Sequence, residues 1–275
     1  MTRQLAVLGF PAGHALSPVL HRAAYAALGL DWTYQAIDCA PSHLAGFLAG
    51  LDDSWAGLSL TMPLKRAAVP LLDDVSAAVT ATGTANTVTV HSGLLRGDNT
   101  DIHGMSRALL DAGVTRAGSA CVLGAGATAA TALSVLHALG CRETTVIARD
   151  MTRTRELAQA AERIGISVRL RPWTQATHHL DAELVISALP PGAADPLAPH
   201  WPATGNTLLD VAYRPCPTPL ARAARRAGST TISGLTMLVH QAGRQVELQT
   251  GLTPAPLDAI RTAADDALRK DAQRR

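Results

Sequence analysis

The sequence predicts an α/β protein with two domains. One is an N-terminal α/β substrate domain, the other is a Rossmann-like, doubly wound nucleotide domain, and a cleft lies between them. Short apolar segments alternate with helical ones along the 275 residues, as in parallel sheets covered by helices. A glycine-rich turn at Gly124 and Gly126 lies between a predicted strand and a predicted helix. The chain is also long enough for two domains of ordinary size.

Composition and charge exclude several classes of protein. A formal net charge of +2 is too small to indicate a nucleic-acid or anionic-membrane partner. No apolar run reaches the length of a membrane span and no signal peptide is visible, so we expect a cytoplasmic protein. The cysteines are scattered without a C-x-x-C pair, which favours free thiols over a zinc site.

The N-terminal part alternates between strand and helix patterns. Strands are predicted at 4–9, 33–38 and 56–60, with a hairpin at 86–90 and 94–97. Helices are predicted at 17–29, 41–48, 74–82 and 102–112, with a short one ending near 69. Ser17 precedes Pro18, a pair that favours a helix start with Ser17 as its N-cap.

The alternation continues after a break at 111–118. Strands are predicted at 120–123, 144–148, 167–170, 183–187, 207–211 and 230–232. Helices are predicted from the glycine turn to 139, then at 152–163, 218–227, 236–250 and 256–270. The nucleotide domain is therefore expected at 103–235. Residues 1–102 and 236–275 are expected to form the substrate domain, because chain termini often lie close together.

The stretch Gly124-Ala125-Gly126-Ala127-Thr128-Ala129 matches G-x-G-x-x-A, a form of the dinucleotide-binding fingerprint. Gly124 would supply the backbone angles of a sharp turn, and Gly126 would let a pyrophosphate approach without meeting a Cβ. Unpaired N–H groups and the positive end of the helix dipole favour an anion there. A purely structural turn is the alternative.

Basic residues follow the second strand of the nucleotide domain. Arg149 and Arg153 could hold a 2′-phosphate, since guanidinium groups match phosphate geometry, and this favours NADP. Asp150 would instead suit a ribose hydroxyl and therefore NAD. A solvated basic helix start is the alternative without a ligand.

Several polar side chains of the substrate domain are candidates for chemistry. Lys65 follows the strand that ends at Thr61 and could donate or accept a proton, although a solvated lysine would look the same in sequence. Asn86 and Asp101 could bind the hydroxyls of a polyol, or could form a turn and a helix cap. Ser17 could bind a carboxylate or act only as the cap.

These motifs, taken together and in order, resemble the shikimate dehydrogenase family over essentially the whole chain. The matching stretches are Gly9-Phe10-Pro11, His14-Ala15-Leu16-Ser17-Pro18, Thr61-Met62-Pro63-Leu64-Lys65, Ala85-Asn86-Thr87, Asp98-Asn99-Thr100-Asp101, the glycine loop with Arg149, Asp210-Val211-Ala212-Tyr213-Arg214-Pro215, Thr218-Pro219-Leu220, and Gly234-Leu235-Thr236-Met237-Leu238 with Gln241-Ala242.

The resemblance implies the reversible NADPH-dependent reduction of 3-dehydroshikimate to shikimate, a step toward aromatic amino acids. It implies that Lys65 and Asp101 are catalytic. Positions that match substrate contacts of the family are Ser17, Thr61, Asn86, Tyr213 and Gln241. Positions that match its NADP site are Gly124, Ala125, Gly126, Ala127, Arg149, Arg153, Ser187, Gly234 and Met237. A monomer or a homodimer is expected.

The chain departs from the family at one position of the first motif. The family usually has S-x-S, whereas this chain has Ala15-Leu16-Ser17, so one of two hydroxyls expected on the substrate carboxylate is absent. A hydrogen bond to a charged group contributes about 1.5–3 kcal/mol. The substitution leaves a quinate or aminoshikimate dehydrogenase, with NADP or NAD, as an alternative. A non-catalytic metabolite sensor is a third interpretation, although it would need no proton donor.

Overall fold

The structure of the protein is a computed structural model that describes residues 2–273, with the side chain of Arg153 outside the described part. The chain divides into two compact units. The first contains the described residues up to Gly104 and those from Val239 onward, and the second is Met105–Leu238. Among the described residues, no helix is both long and apolar enough to span a membrane.

The first unit is built on a six-stranded mixed sheet. Its strands are β1 Gln4–Gly9, β2 Thr33–Asp38, β3 Trp55–Leu60, β4 Asp74–Val75, β5 Thr87–His91 and β6 Leu94–Asp98. Their order is β2-β1-β3-β5-β6-β4, and β5 runs antiparallel to both of its neighbours. The sheet is therefore not wholly parallel, because the predicted hairpin reverses the chain direction.

The direction of β5 decides which polar segments meet. Ser59 near the end of β3 pairs with Thr87 at the start of β5, and Thr87 pairs with Asp98 at the end of β6. The segment after β3, the residue before β5 and the segment after β6 therefore lie at the same edge of the sheet. This is the edge at which open α/β sheets usually bind ligands.

Seven helices of the described chain belong wholly or partly to the first unit. They are α1 Ser17–Ala27, α2 Pro41–Ala49, α3 Leu64–Ala67, α4 Ala77–Thr82, the beginning of α5 Thr100–Asp111, the later part of α9 Gly234–Thr250, and α10 Leu257–Gln273. Aliphatic side chains from the strands and α2, such as Leu8, Leu44 and Leu58, form the buried core, consistent with the low aromatic content.

Two local predictions in this unit were wrong. Ser17 is not the N-cap of α1, since Leu16 occupies that position with helical backbone angles and makes no side-chain cap bond. The predicted helix at 74–82 begins only at Ala77, because Asp74–Val75 pairs with β6 and Ser76 caps α4 by accepting a hydrogen bond from the Val79 N–H.

The second unit has a six-stranded parallel sheet, which confirms the doubly wound prediction. Its strands are β7 Ser119–Leu123, β8 Glu143–Ala148, β9 Val168–Pro172, β10 Leu184–Ser187, β11 Thr207–Asp210 and β12 Thr230–Ser233. The order is β9-β8-β7-β10-β11-β12, in which the direction of winding reverses between β7 and β10. This is the strand order of the Rossmann fold, whose ligands bind at that reversal.

The connections in this unit are partly helical. The α-helices are α6 Ala127–Ala138, α7 Arg155–Ile164 and α8 Pro219–Arg226. The connections on either side of β10 contain 3₁₀ segments at Trp173–His179 and Asp195–His200 instead. The helix predicted at 152–163 begins with a 3₁₀ turn at Met151–Thr154, because the Asp150 side chain accepts from the Thr152 N–H there.

Candidate active site

The centre of the candidate site in the first unit is an ion pair between Lys65 and Asp101. Lys65 lies on α3, just after β3, and Asp101 lies in the first turn of α5. The Lys65 Nζ donates to Asp101 Oδ2 at 2.5 Å, and the two side chains are 17% and 8% exposed. Because the carboxylate is largely removed from water, its second oxygen also needs a partner.

Asn86 supplies that partner. Its Nδ2 donates to Asp101 Oδ1 at 2.9 Å and also lies 3.2 Å from Gln241 Oε1. Its own Oδ1 accepts from the Thr100 N–H at 2.8 Å. Because Asn86 is buried and bonded at both ends of its amide, its orientation is fixed. The structure thus brings Lys65, Asp101, Asn86 and Gln241 into one hydrogen-bonded cluster.

Thr61 lies beside this cluster in the chain, between β3 and Lys65. The Thr61 N–H donates to the Leu8 carbonyl at 2.8 Å, and its carbonyl accepts from the Leu64 N–H at 2.8 Å. A Cβ on Gly9 would come within 2.3 Å of Thr61 Cγ2, so any larger residue at position 9 would displace the Thr61 side chain. The turn that presents Lys65 is therefore anchored on the end of β1.

Ser17 lies in the first unit and is buried at the start of α1. It is the first residue of α1, one position after the Leu16 N-cap, and therefore lies inside the helix that it was predicted to cap. Burial raises the pKa of the Tyr34 hydroxyl, so the ring stays protonated. Tyr34 in turn donates to Ser59 Oγ at 2.6 Å.

The His21 ring is also buried and packs against Tyr34. His21 stacks on the Tyr34 ring with centroids 4.2 Å apart, and its Nε2 lies 3.1 Å from Gln245 Oε1. Its Nδ1 lies 3.2 Å from the hydroxyl of Tyr25. Burial lowers the pKa of His21 from 6.5 to about 4, although the bond to Gln245 opposes this shift. The imidazole is therefore neutral at neutral pH.

We expect His21 to make folding stability depend on pH. The pKa of this ring is 6.5 in the unfolded chain and about 4 in the folded protein. The free energy of unfolding should therefore be highest above pH 6.5. It should decrease as the pH falls toward 4, by about 3 kcal/mol at most. Urea unfolding measured across this range should show a smaller pH dependence for His21→Gln than for the wild type. The exposed His43→Gln serves as the control and should behave like the wild type. Equal slopes in all three proteins would contradict this assignment.

Sequence reasoning missed part of this network. The residues predicted from the sequence do not include Tyr34 or Gln245. A usable signal was present in α9, where Gln241, Gln245 and Gln249 are spaced by four residues and so share one helix face. All three are buried, which a solvated polar face would not be.

The glycine loop in the second unit has the geometry expected of a nucleotide cradle. Gly124 has a φ of +108°, and a Cβ there would lie 3.1 Å from the Ala188 carbonyl oxygen. Gly126 is the N-cap of α6, and a Cβ there would meet nothing within 4 Å. Gly126 is exposed, and the N–H groups of the first turn of α6, beginning at Ala127, have no partner within the helix. The residues between β7 and α6 therefore fit a pyrophosphate.

The end of β8 holds the residues predicted to select the cofactor. Arg149 is exposed directly after the strand. The Asp150 Oδ1 accepts from the Thr152 N–H at 3.0 Å and from its hydroxyl at 2.6 Å, so this carboxylate has a local role as a cap. The side chain of Arg153 lies outside the described part of the structure. Arg149 thus remains available for an anion at this edge.

Ser187 ends β10 beside the winding reversal, where it pairs with Leu123 and Asp210 in the sheet. The Asp210 carboxylate accepts from Thr218 Oγ1 at 2.7 Å and from the Ala212 N–H at 3.2 Å. Burial raises the pKa of this carboxyl group, an effect that these bonds oppose. Asp210 thus fixes the start of the loop that carries Tyr213.

Gly234 and Met237 lie in the first turn of α9. A Cβ on Gly234 would come within 2.1 Å of the Val211 carbonyl oxygen, so this helix starts against the backbone after β11. Met237 is buried on the same turn. These two residues and Tyr213 therefore belong to neighbouring segments of the second unit.

Comparison with known proteins identifies the family. The model of the shikimate dehydrogenase substrate binding domain matches residues 7–88, and that of shikimate/quinate 5-dehydrogenase matches residues 107–192. A shikimate dehydrogenase (NADP(+)) from Oleidesulfovibrio alaskensis is 37% identical over 276 residues, covering 97% of this chain and 96% of the relative. The chain belongs to the shikimate dehydrogenase family. The family that the motifs predicted is confirmed.

Solved structures of the family support the fold. Shikimate dehydrogenase from Mycobacterium tuberculosis is 40% identical with a TM-score of 0.85, covering 96% of this chain and 99% of its own. Shikimate 5-dehydrogenase from Thermus thermophilus, in complex with NADP(H) and shikimate, is 34% identical with a TM-score of 0.84 and covers 97% and 100%. The predicted two-domain α/β class is therefore confirmed.

Proposed function

We propose that the protein catalyses the reversible NADP-dependent reduction of 3-dehydroshikimate to shikimate. The observation that carries this proposal is the buried Lys65–Asp101 pair, held by Asn86, in a member of the shikimate dehydrogenase family. We assign substrate binding to the first unit and NADP binding to the second. A metabolite sensor is disfavoured, because binding alone does not require a proton donor held in this way.

The first unit can handle the proton of this reaction. When bound, NADPH supplies a hydride to the ketone carbon, and negative charge then develops on the ketone oxygen. Lys65 has three N–H donors, of which one is used on Asp101, so another can bind that oxygen and deliver the proton. In the direction of oxidation, Lys65 accepts the proton from the hydroxyl. Asp101 holds the ammonium in place, and Asn86 holds Asp101.

Other predicted residues complete the substrate site in this proposal. Thr61, Asn86 and Gln241 bind the hydroxyl groups of the ring, as hydroxyl and amide side chains can both donate and accept hydrogen bonds. Tyr213 stays a predicted substrate contact. Ser17 binds the carboxylate, which only accepts hydrogen bonds. Support for the first assignment comes from Asn86 and Gln241, which lie in the same cluster as Lys65.

The second unit is assigned to NADP. The loop Gly124-Ala125-Gly126-Ala127 would hold the pyrophosphate at the N-terminus of α6. Arg149, with Arg153, would bind the 2′-phosphate that distinguishes NADP from NAD. Ser187, Gly234 and Met237 would border the nicotinamide. The open space at Gly126 and the exposure of Arg149 support these roles.

One set of rate measurements tests substrate and cofactor together. Shikimate and quinate are each oxidised with NADP and with NAD, and kcat/KM is compared. We expect kcat/KM for shikimate with NADP to be at least about tenfold higher than for any other pair of substrate and cofactor. A pair that leaves a buried polar group of the site without its hydrogen bond reacts more slowly. A higher kcat/KM for quinate, or for NAD, would instead support the alternative that Ala15 motivates. The oligomeric state (monomer or homodimer) and the cytoplasmic location remain predictions.

A further inference from the structure

Two glutamines of α9, four residues apart on one helix face, form hydrogen bonds with Asn86. Gln241 Oε1 accepts from Asn86 Nδ2 at 3.2 Å, and Gln245 Nε2 donates to the Asn86 carbonyl oxygen at 3.1 Å. Gln245 Nε2 also donates to Thr87 Oγ1 at 3.0 Å. Among the hydrogen bonds of the described chain, none joins Gln245 to Lys65 or Asp101. Any effect of Gln245 on that pair must therefore pass through its neighbours.

The orientation of the Gln245 amide follows from its partners. A carbonyl oxygen can only accept hydrogen bonds, so the Gln245 nitrogen faces Asn86. Gln245 Oε1 faces the other way, where it accepts from Ser59 Oγ at 3.0 Å and from His21 Nε2 at 3.1 Å. Both N–H groups and both lone pairs of the amide are thus used. A buried amide bonded in this way cannot flip without breaking several hydrogen bonds at once.

This orientation directs the proton of the Thr87 hydroxyl. Thr87 Oγ1 accepts from Gln245 and donates to Asn86 Oδ1 at 2.8 Å, which is closer than Thr100 Oγ1 at 3.2 Å. The Thr100 N–H donates to the same Asn86 oxygen at 2.8 Å. With its oxygen held by these donors, the Asn86 amide presents its nitrogen to Asp101 Oδ1 at 2.9 Å.

We propose that Gln245 is a positioning residue for the ion pair of the candidate site, acting through Thr87 and Asn86. Gln245 holds the Asn86 main chain and the Thr87 hydroxyl, and Thr87 holds the Asn86 amide oxygen. The Asn86 nitrogen then holds Asp101 Oδ1 and leaves Oδ2 for the Lys65 ammonium. The proposal rests on the proposed function only in taking this pair as the site of proton transfer.

A small displacement of Asn86 is expected to affect the rate of proton transfer. Lys65 Nζ must lie about 2.6–3.2 Å from the substrate oxygen, and a displacement of about 1 Å can lower a rate by about a hundredfold. Without Gln245, Asn86 keeps the Thr100 N–H on its amide oxygen and the Leu60 N–H on its carbonyl. We therefore expect the Asn86 amide to shift rather than to flip, with a loss of rate of about tenfold.

Gln245→Met tests the proposal against a matched control. Methionine has a similar length but no amide, so kcat for shikimate oxidation should fall about tenfold. KM for NADP should stay within about twofold, because the cofactor is assigned to the second unit. Gln249→Met makes the same replacement one turn further along α9, at a buried glutamine whose Nε2 donates to the Leu58 carbonyl at 3.2 Å. It should also lower the melting temperature but leave kcat within about twofold.

A second pair of variants tests the step at Thr87. Thr87→Val keeps a β-branched side chain at the start of β5 but removes the hydroxyl, and kcat should fall about tenfold. Thr87→Ser keeps the hydroxyl and should retain at least about half of the wild-type kcat. In the Thr87→Val protein, Gln245→Met should lower kcat by less than about threefold more, because both residues act on the same Asn86 amide.

Hydrogen exchange at the Asn86 side chain gives a readout that needs no substrate. The signals of this amide are identified in nuclear magnetic resonance spectra by their loss in Asn86→Ala. Gln245→Met and Thr87→Val should increase the exchange rate of the Asn86 N–H groups at least about tenfold, because the amide opens more often. Gln249→Met should leave that rate unchanged.

The outcomes distinguish this proposal from the proposed function. In a protein that oxidises shikimate, an unchanged kcat in Gln245→Met, an equal loss in Gln249→Met, or equal losses in Thr87→Val and Thr87→Ser would overturn the positioning role. An unchanged exchange rate at Asn86 in Gln245→Met would overturn it as well. A wild-type protein that does not oxidise shikimate, but whose Asn86 exchange responds as expected, would contradict the proposed function and support the hold of Gln245 on Asn86.

Discussion

Replacement of Lys65 by methionine is expected to lower kcat for shikimate oxidation by about a thousandfold, within the range for loss of a general acid or base. Methionine keeps a similar side-chain length but has no proton to exchange. Asp101 would lose one partner and keep its bond from Asn86, so the carboxylate remains held. Initial rates with saturating shikimate and NADP give kcat, and calorimetry gives the affinity for shikimate.

The chain offers a closely matched control for this change, because Lys65 and Lys270 are its two lysines. Lys270→Met makes the same chemical replacement at an exposed position of α10 and should leave kcat unchanged. Thermal unfolding of both variants shows whether the fold persists. A Lys65→Met protein that is folded and retains kcat within about threefold of the wild type would exclude the proton-transfer role.

Replacement of Arg149 by alanine is expected to raise KM for NADP by about a hundredfold and to leave KM for NAD nearly unchanged. Charge-assisted hydrogen bonds between a guanidinium group and a phosphate contribute about 1.5–3 kcal/mol each, and NAD lacks the 2′-phosphate. The measurement is the ratio of kcat/KM for the two cofactors at fixed shikimate. This ratio should fall toward one.

Arg142 provides the control for this experiment. It is also exposed, and it lies just before β8, whereas Arg149 lies just after that strand. The two guanidinium groups therefore belong to opposite edges of the same sheet, and Arg142→Ala should not change cofactor preference. Equal losses with NADP and NAD in Arg149→Ala would mean that this residue does not recognise the 2′-phosphate.

Features encoded by local sequence were predicted well. The strand, glycine turn and helix around Gly124 follow from short-range backbone preferences, and the second unit has the predicted parallel sheet. The order of motifs identified the family, which the comparisons confirm. Roles of individual site residues stay predictions, although Lys65 and Asp101, 36 residues apart in the chain, do form an ion pair.

Features decided by contacts between distant segments were not predicted. Ser17 has the local pattern of a helix cap, but α1 has Leu16 at its N-cap and Ser17 inside its first turn. Asp74–Val75 looks helical by itself and pairs with β6 only because the hairpin brings that strand alongside. At Asp74–Val75, pairing with a distant strand outweighed the local preference.

The glutamines of α9 have a consequence for how the Lys65–Asp101 pair responds to its surroundings. The groups that support the pair, including Asn86, Gln241 and Gln245, are uncharged amides or hydroxyls, and the His21 ring behind them is neutral at neutral pH. Dissolved salt screens the attraction between charges but has little effect on hydrogen bonds between buried neutral groups. The framework around the pair should therefore keep its geometry over a wide range of ionic strength.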